Sequence, residues 1–113
     1  MKIKIINLEM GMPTSNIAIN RLSQEIRSAK VANVKALKVI HGYGSSGTGG
    51  HIRVEARRYL ERLQGRRELQ DVIWGEDFSI FHPGTRAALL ACEELRRDRD
   101  LERHNNGVTF IVL

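Results

Sequence analysis

The chain has a single cysteine, Cys92, so no disulfide can form within it. That suits a reducing compartment, and a cytoplasmic location is expected. Cys92 lies in the run TRAALLACEEL, where a small buried side chain is expected rather than a nucleophile. The start, MKIKIINLEM, lacks the long apolar core and small-residue cleavage site of a signal peptide. No apolar run approaches the roughly 18 residues that a membrane-spanning helix needs, so a soluble protein without a membrane partner is expected. Metal-binding spacing is missing as well. His41, His51, His82 and His104 include no pair at i, i+4, and no second cysteine completes a zinc motif. No resident cofactor is expected, with Mg²⁺ or Mn²⁺ entering only if the chain is a nuclease. Internal repeats, low-complexity tracts and linkers are also absent.

What is present is one modest core's worth of apolar residues, 42% of 113, and an excess of positive charge. One domain, residues 1–113, is expected. Lys and Arg number 18 against 13 acidic residues, a formal charge of +5. This balance favours polyanionic partners over acidic ones.

Hydrophobic periodicity gives an α/β order of β-α-β-α-β-α-β, a two-layer sandwich. KIKIINL (2–8) alternates as a strand. Gly11 and Pro13 break it, and Thr14 or Ser15 caps a helix whose inner face carries Ile19, Leu22, Ile26 and Ala29. After a turn at Asn33, the almost continuously apolar VKALKVI (34–40) predicts a central strand, parallel to the first. A second helix runs from about His51 to Gln64 with Ile52, Ala56, Tyr59, Leu60 and Leu63 inward, Arg53, Arg57, Arg58 and Arg62 making it strongly basic, and Gly65 stopping it. Leu69 to Trp74 is a short third strand. Pro83 opens a third helix to about Arg97, with Ala87, Leu90, Ala91 and Leu95 facing inward. The mixed-charge RRDRDLERHNNG (96–107) is expected as a solvated connection, and GVTFIVL (107–113) as the last strand. The adjacent acids Glu76 and Asp77 read as an exposed turn, and Trp74 as core.

Between the second strand and second helix lies HGYGSSGTGG, residues 41–50. Gly42, Gly44 and Gly47 spell G-x-G-x-x-G. A dinucleotide site also needs an early helix start and an acid about 20 residues on to hold the ribose. Here Thr48, Gly49 and Gly50 delay the helix, and position 67 is Arg, so no dinucleotide cofactor is expected. A nucleotide-triphosphate loop needs a lysine before its hydroxyl residue, and none is present. The physics of the stretch fits a simpler anion. Glycines let backbone N–H groups approach a phosphate, a helix start favours negative charge, and Ser45, Ser46 and Thr48 add donors. His41, His51 and Arg53 flank the loop. Tyr43 offers a ring on which a base can stack.

KVIHGYGSSGTGGHIRVEARRYL resembles the core motif of the Smr (small MutS-related) domain family: an apolar strand, H-G-x-G, a glycine-containing loop and an Arg-bearing helix. The match rests on His41, Gly42, Gly44, Gly47 and Arg53. INLEMGMPTSNIAINRLSQEI sits where that family has its first strand, an L-D-x-H-G-like motif and first helix, and NNGVTFIVL resembles its closing strand. The resemblance implies a sandwich similar to the C-terminal domain of translation initiation factor 3, with a helical insertion near 79–104. It also implies nucleic-acid binding and, in several members, structure-selective DNA or RNA endonuclease activity. The first motif departs from the family: aligning Gly11 places Leu8 at the acidic position and Met10 at the histidine. Glu9, one residue along, would point to the opposite face if the strand continued.

The sequence therefore predicts a nucleic-acid-binding domain that contacts the phosphate backbone, DNA or RNA. The contacting residues are His41, Gly42, Tyr43, Gly44, Ser45, Ser46, Gly47, Thr48, His51, Arg53 and Arg57. One alternative is a metal-assisted endonuclease, in which His41 is the catalytic residue because only histidine titrates near neutral pH. The structural alternative for His41 is a ring hydrogen-bonded to the backbone, bracing the loop. A further alternative is a protein-interaction domain that uses the inserted helix and makes no nucleic-acid contact.

Overall fold

A computed structural model describes residues 2–43 and 49–113. Its elements are β1 (Ile3–Asn7), α1 (Ser15–Val31), β2 (Ala36–Ile40), α2 (Gly49–Gly65), β3 (Asp71–Trp74), α3 (Pro83–Ala91) and β4 (Val108–Val112), with short 3₁₀ turns at Gly75–Asp77 and Glu93–Arg97. The four strands form one sheet in the order β1-β2-β4-β3. β1 and β2 are parallel, with Ile3 opposite Ala36, as the crossover through α1 predicts. β4 runs antiparallel to both of its neighbours, β2 and β3.

The period-2 alternation of the inner strands divides the core into two. Leu37, Val39 and Ile111 face α1 and α2, joining Leu22, Ile26, Ile52, Ala56 and Leu60. Ala36, Ile73, Phe110 and Val112 face the other way, against Phe78, Ala88, Leu89 and Leu95. The helix-on-sheet sandwich is thus present, and the connection from β3 to β4 covers the second face. Phe78 stacks on Phe110, with ring centroids 3.9 Å apart, and anchors that connection to the sheet. Covering on both faces explains why β2 reads as nearly continuously apolar.

Local signals set the element ends. Thr14 Oγ1 accepts a hydrogen bond from the Ile17 N–H and caps α1, and Asn33 takes the left-handed turn after it (φ 58). At the end of α2 the left-handed residue is Arg67 (φ 59), not the expected Gly65. Its neighbours close the turn by Arg67 N–H to Gln64 C=O and Glu68 N–H to Leu63 C=O.

Two expectations in the β3–β4 connection are corrected. The third helix does not reach Arg97. It breaks at Cys92 (φ −143, ψ 93), and the chain resumes as a 3₁₀ turn. Leu95 therefore no longer shares a helical phase with Leu90. Thr85, Ala88, Leu89, Cys92 and Leu95 are buried, whereas Leu90 is 81% exposed and Ala87 and Ala91 face solvent. The second correction concerns residues 96–107, which are more than a solvated connection. Asp98 and Asp100 fold inward onto Lys38, the one charged side chain of central strand β2, at 3.0 and 2.7 Å. Lys38 is only 6% exposed. Partial burial pushes the Asp100 carboxyl up, but hydrogen bonds from Lys38 and Asn105 and nearby positive charge outweigh it and hold the group below the ordinary aspartate value.

Among the described residues, no helix is long and apolar enough to cross a membrane.

Candidate functional site

β1, β2 and β3 all run in one direction, so their C-terminal ends share one edge of the sheet, where β4 begins. Open α/β sheets place ligands at such an edge, in crevices outside the carboxyl ends of the strands. Here the edge gathers the segments after Asn7, Ile40 and Trp74 and the segment before Val108. The N–H groups of His41 and Gly42 both donate to the Gly107 carbonyl at 3.0 Å, tying the start of the glycine loop to β4. Gly42 is left-handed (φ 71), which favours glycine, and a Cβ there would displace the Glu9 carboxylate. Gly107 packs closely too, its position leaving only 3.2 Å between an added Cβ and Tyr43 Cδ1.

His41 is fully buried. Its Nδ1 is 2.7 Å from the Gly42 carbonyl and its Nε2 is 2.8 Å from Thr109 Oγ1. The carbonyl can only accept, so Nδ1 carries the proton and Nε2 accepts from the Thr109 hydroxyl. The ring pKa is lowered to about 4, chiefly by burial and with help from the charges of Arg57 and Arg53, against the opposing Gly42 hydrogen bond and Glu76 charge. The ring is therefore a neutral brace between the loop and β4. Both ring nitrogens are engaged within the protein.

Arg53 and Arg57, one turn apart on α2, converge on Glu76 just after β3. Arg53 Nη2 donates to Glu76 at 3.2 Å, and its Nε donates to the Asn106 carbonyl at 3.0 Å. Arg57 Nη2 bonds Glu76, and its guanidinium lies over the Trp74 ring at 4.5 Å. The Arg57 Nε–H is buried and finds no acceptor among the described residues. Partial burial raises the Glu76 carboxyl, but Arg57 and then Arg53 outweigh it and hold the group below the usual glutamate range. Glu76 is thus a structural counter-ion and not the exposed turn residue its sequence suggests. Two arginines against one carboxylate leave net positive charge beside the start of α2, whose first turn holds no acidic residue.

Glu9 follows directly after β1, which ends at Asn7, and Leu8 beside it still packs in the core with Ile6. The Glu9 N–H bonds Asn7 Oδ1, and Gly11 and Met12 are both left-handed, a turn that brings the Glu9 carboxylate against Gly42. Leu8 is fully buried in the core and Met10 is 68% exposed. An acid therefore stands at the glycine loop even though the aligned motif position is leucine.

Of the remaining expected site residues, Tyr43 is 58% exposed and His51 is exposed in the first turn of α2. Gly44, Ser45, Ser46, Gly47 and Thr48 lie outside the described residues. His82 caps α3, accepting from the Thr85 N–H at 3.1 Å. His104 Nδ1 donates to the Glu76 carbonyl. Among the described residues, no group of three His, Cys, Asp or Glu is placed to hold a metal.

No family model and no curated protein sequence matches the chain. Among solved structures, it is similar to the Smr domain of Thermus thermophilus MutS2, with a TM-score of 0.55 and 18% identity over 100% of this chain and 98% of that one. The likeness runs the length of the chain and is a likeness of fold. What the site's residues do rests on their own geometry.

Proposed function

We propose that this Smr-like fold binds nucleic acid, seating a backbone phosphate where residues 41–50 lead into α2. The observation that carries the reading is the placement of Arg53. It is held one turn into a helix whose first turn lacks acids, and its Asn106 contact adjoins the Gly107 carbonyl that fixes His41 and Gly42. Backbone N–H groups at a helix start, glycines that admit close approach and a fixed guanidinium together suit a phosphate. His51 and the loop hydroxyls supply further donors, Arg57 steadies Arg53 through their shared Glu76, and His41 holds the loop from beneath. Such contacts position a backbone and read no base, so binding is weakly sequence-selective and salt-dependent.

The test is affinity for labelled DNA and RNA across a salt series. Arg53→Ala is expected to weaken binding to every sequence alike and to lower the slope of log affinity against log salt by about 1. Tight binding indifferent to both salt and the substitution would overturn the reading.

Glu9 favours a second reading, metal-assisted phosphodiester cleavage at the same edge. A Mg²⁺ or Mn²⁺ ion is commonly held by one or two carboxylates together with substrate phosphates, which a lone Glu9 permits. Bound there, the ion would supply a Lewis acid for phosphate oxygens. With Mn²⁺ and branched or single-stranded substrates, cleavage by the wild type and at least a hundredfold loss in Glu9→Gln are expected, of the order seen when charge stabilisation is removed from an active site. Intact substrates with the wild type exclude this reading.

A further inference from the structure

We propose that the groove between Tyr43 and residues 99–106 holds a single-stranded nucleic acid, a base stacked on Tyr43 and the backbone following Arg99 and Arg103. The inference rests on the nucleic-acid reading above and adds the form of nucleic acid and a second contact surface.

The first argument is the sorting of charge. RRDRDLER, residues 96–103, carries four arginines and three acids and looks balanced as a sequence. Folding separates the signs. Asp98 and Asp100 are drawn inward by Lys38. The Glu102 carboxylate is bonded to Ser79 Oγ and the Ile80 N–H, each at 2.7 Å. Arg96, Arg97, Arg99 and Arg103 all face solvent, and none forms an ion pair among the described residues. The four arginines therefore project into solvent, while Asp98 and Asp100 are held inward on Lys38 and the exposed Glu102 carboxylate is turned onto Ser79 and Ile80.

The groove beside it has a volume of about 590 Å³ and is lined by Tyr43, Arg99, Arg103, His104, Asn105 and Asn106, with Asp100 at its base. The Asp100 carboxylate there is hydrogen-bonded by Asn105 Nδ2 and paired with Lys38, which it shares with Asp98. What remains is cationic on one side and aromatic on the other, next to the loop that leads to the α2 phosphate site. Base stacking on an exposed aromatic ring needs an unpaired base, whereas a duplex keeps its bases stacked on each other. Tyr43 is suited to the first and not to the second.

The backbone that builds this wall is strained. Glu102 and His104 are both non-glycine residues in the left-handed region (φ 69 and 54). Each is held from outside its own turn, Glu102 by the Phe78 carbonyl and residues 79–80, and His104 by the Glu76 carbonyl. Strain maintained by surrounding contacts is common where a surface serves a ligand.

The experiment compares fluorescent 15-nucleotide oligo(dT), oligo(rU) and a duplex of the same length, using the whole chain. Arg99→Ala/Arg103→Ala is expected to lower single-strand affinity at least tenfold and to reduce the salt slope by about 1.4, the release expected for two phosphate contacts on a single strand. Duplex affinity should change by less than about threefold in Tyr43→Leu, since a duplex presents no unpaired base to stack on the ring. Tyr43→Leu should cost about tenfold for single strands with the salt slope unchanged, while Tyr43→Phe binds as the wild type. The ratio of dT to rU affinity assigns DNA or RNA as the strand bound. Single-strand binding unaltered by the arginine pair overturns the groove alone. Wild-type protein that binds no nucleic acid overturns both this inference and the function it rests on. Equal retention of polyglutamate by wild type and Tyr43→Leu, with oligonucleotides failing to compete, gives the groove to an acidic protein instead.

Discussion

Lys38→Met is expected to lower the unfolding free energy by about 3–5 kcal/mol, the cost of breaking a buried ion pair by removing one partner. Methionine matches the lysine stem in volume, so the loss is not one of packing. It arises because Asp98 and Asp100, whose side chains are 13% and 10% exposed, are left facing each other without a cation. Replacing all three, Lys38→Met/Asp98→Asn/Asp100→Asn, should recover most of the loss, because no buried charge then remains. Urea unfolding at pH 7, followed by far-ultraviolet circular dichroism, measures both. A loss below about 1 kcal/mol in the single variant would place the triad in the class of surface ion pairs and refute its structural role.

Acid gives a second signature of the same triad. The folded Asp100 carboxyl is depressed, so its contribution is present above the unfolded value of about 3.9 and is lost as pH falls through the folded value. Without Lys38 the main group that lowers the Asp100 carboxyl is gone, so the acid-dependent loss that Asp100 contributes should shrink in Lys38→Met. The consequence reaches the site, because the same residues, with Asn105, carry the wall opposite Tyr43.

His41 supplies the second large effect, in a different pH window. Its folded pKa is about 4 against 6.5 for the free side chain. Between those values the unfolded chain takes up a proton that the buried ring cannot, so stability is complete above pH 6.5 and falls as the solution is acidified toward pH 4. A displacement of this size corresponds to about 3 kcal/mol in total, with about 2 kcal/mol gone by pH 5. Unfolding measured at pH 7.5 and pH 5 should show that loss in the wild type and little of it in His41→Gln, whose amide takes no proton. An equal loss in both proteins would assign the acid sensitivity elsewhere. Since His41 braces the loop to Thr109, nucleic-acid affinity should weaken together with stability in the wild type and hold more nearly constant in the variant.

The two residues illustrate what a sequence can convey. His41 stands out in HGYGSSGTGG because histidine beside glycines is conspicuous chemistry, and both a catalytic and a bracing role suit it. Only its burial and its two bonded nitrogens choose between them. Lys38 gives no signal within VKALKVI, which reads as a central strand despite its two lysines. Its partners lie 60 and 62 residues away in a segment whose charges look evenly mixed. Glu9 is a different case: alternation separates it from Leu8, and only the fold shows that Leu8 enters the core while the Glu9 carboxylate lies against Gly42. Leu90 fails for a different reason: the inner stripe of α3 is Thr85, Ala88, Leu89 and Cys92, at i, i+3, i+4 and i+7, which turns Ala87, Leu90 and Ala91 to solvent.

What the sequence determined by itself is local. Capping at Thr14, the inner stripes of α1 and α2, the apolar continuity of β2 and the glycine loop ahead of an arginine-bearing helix all follow from spacing of 2 or 3.6 residues and from backbone preferences, which act between near neighbours. The tertiary structure decided the rest: β4 inserted between β2 and β3, Asp98 and Asp100 turned in against Lys38 while the neighbouring arginines turned out, and Glu76 drawn to Arg53 and Arg57. Those outcomes depend on desolvation and charge pairing between residues far apart in the chain. Such pairings are selected only when the sheet and its covering layers have formed, and no periodicity along the chain records them.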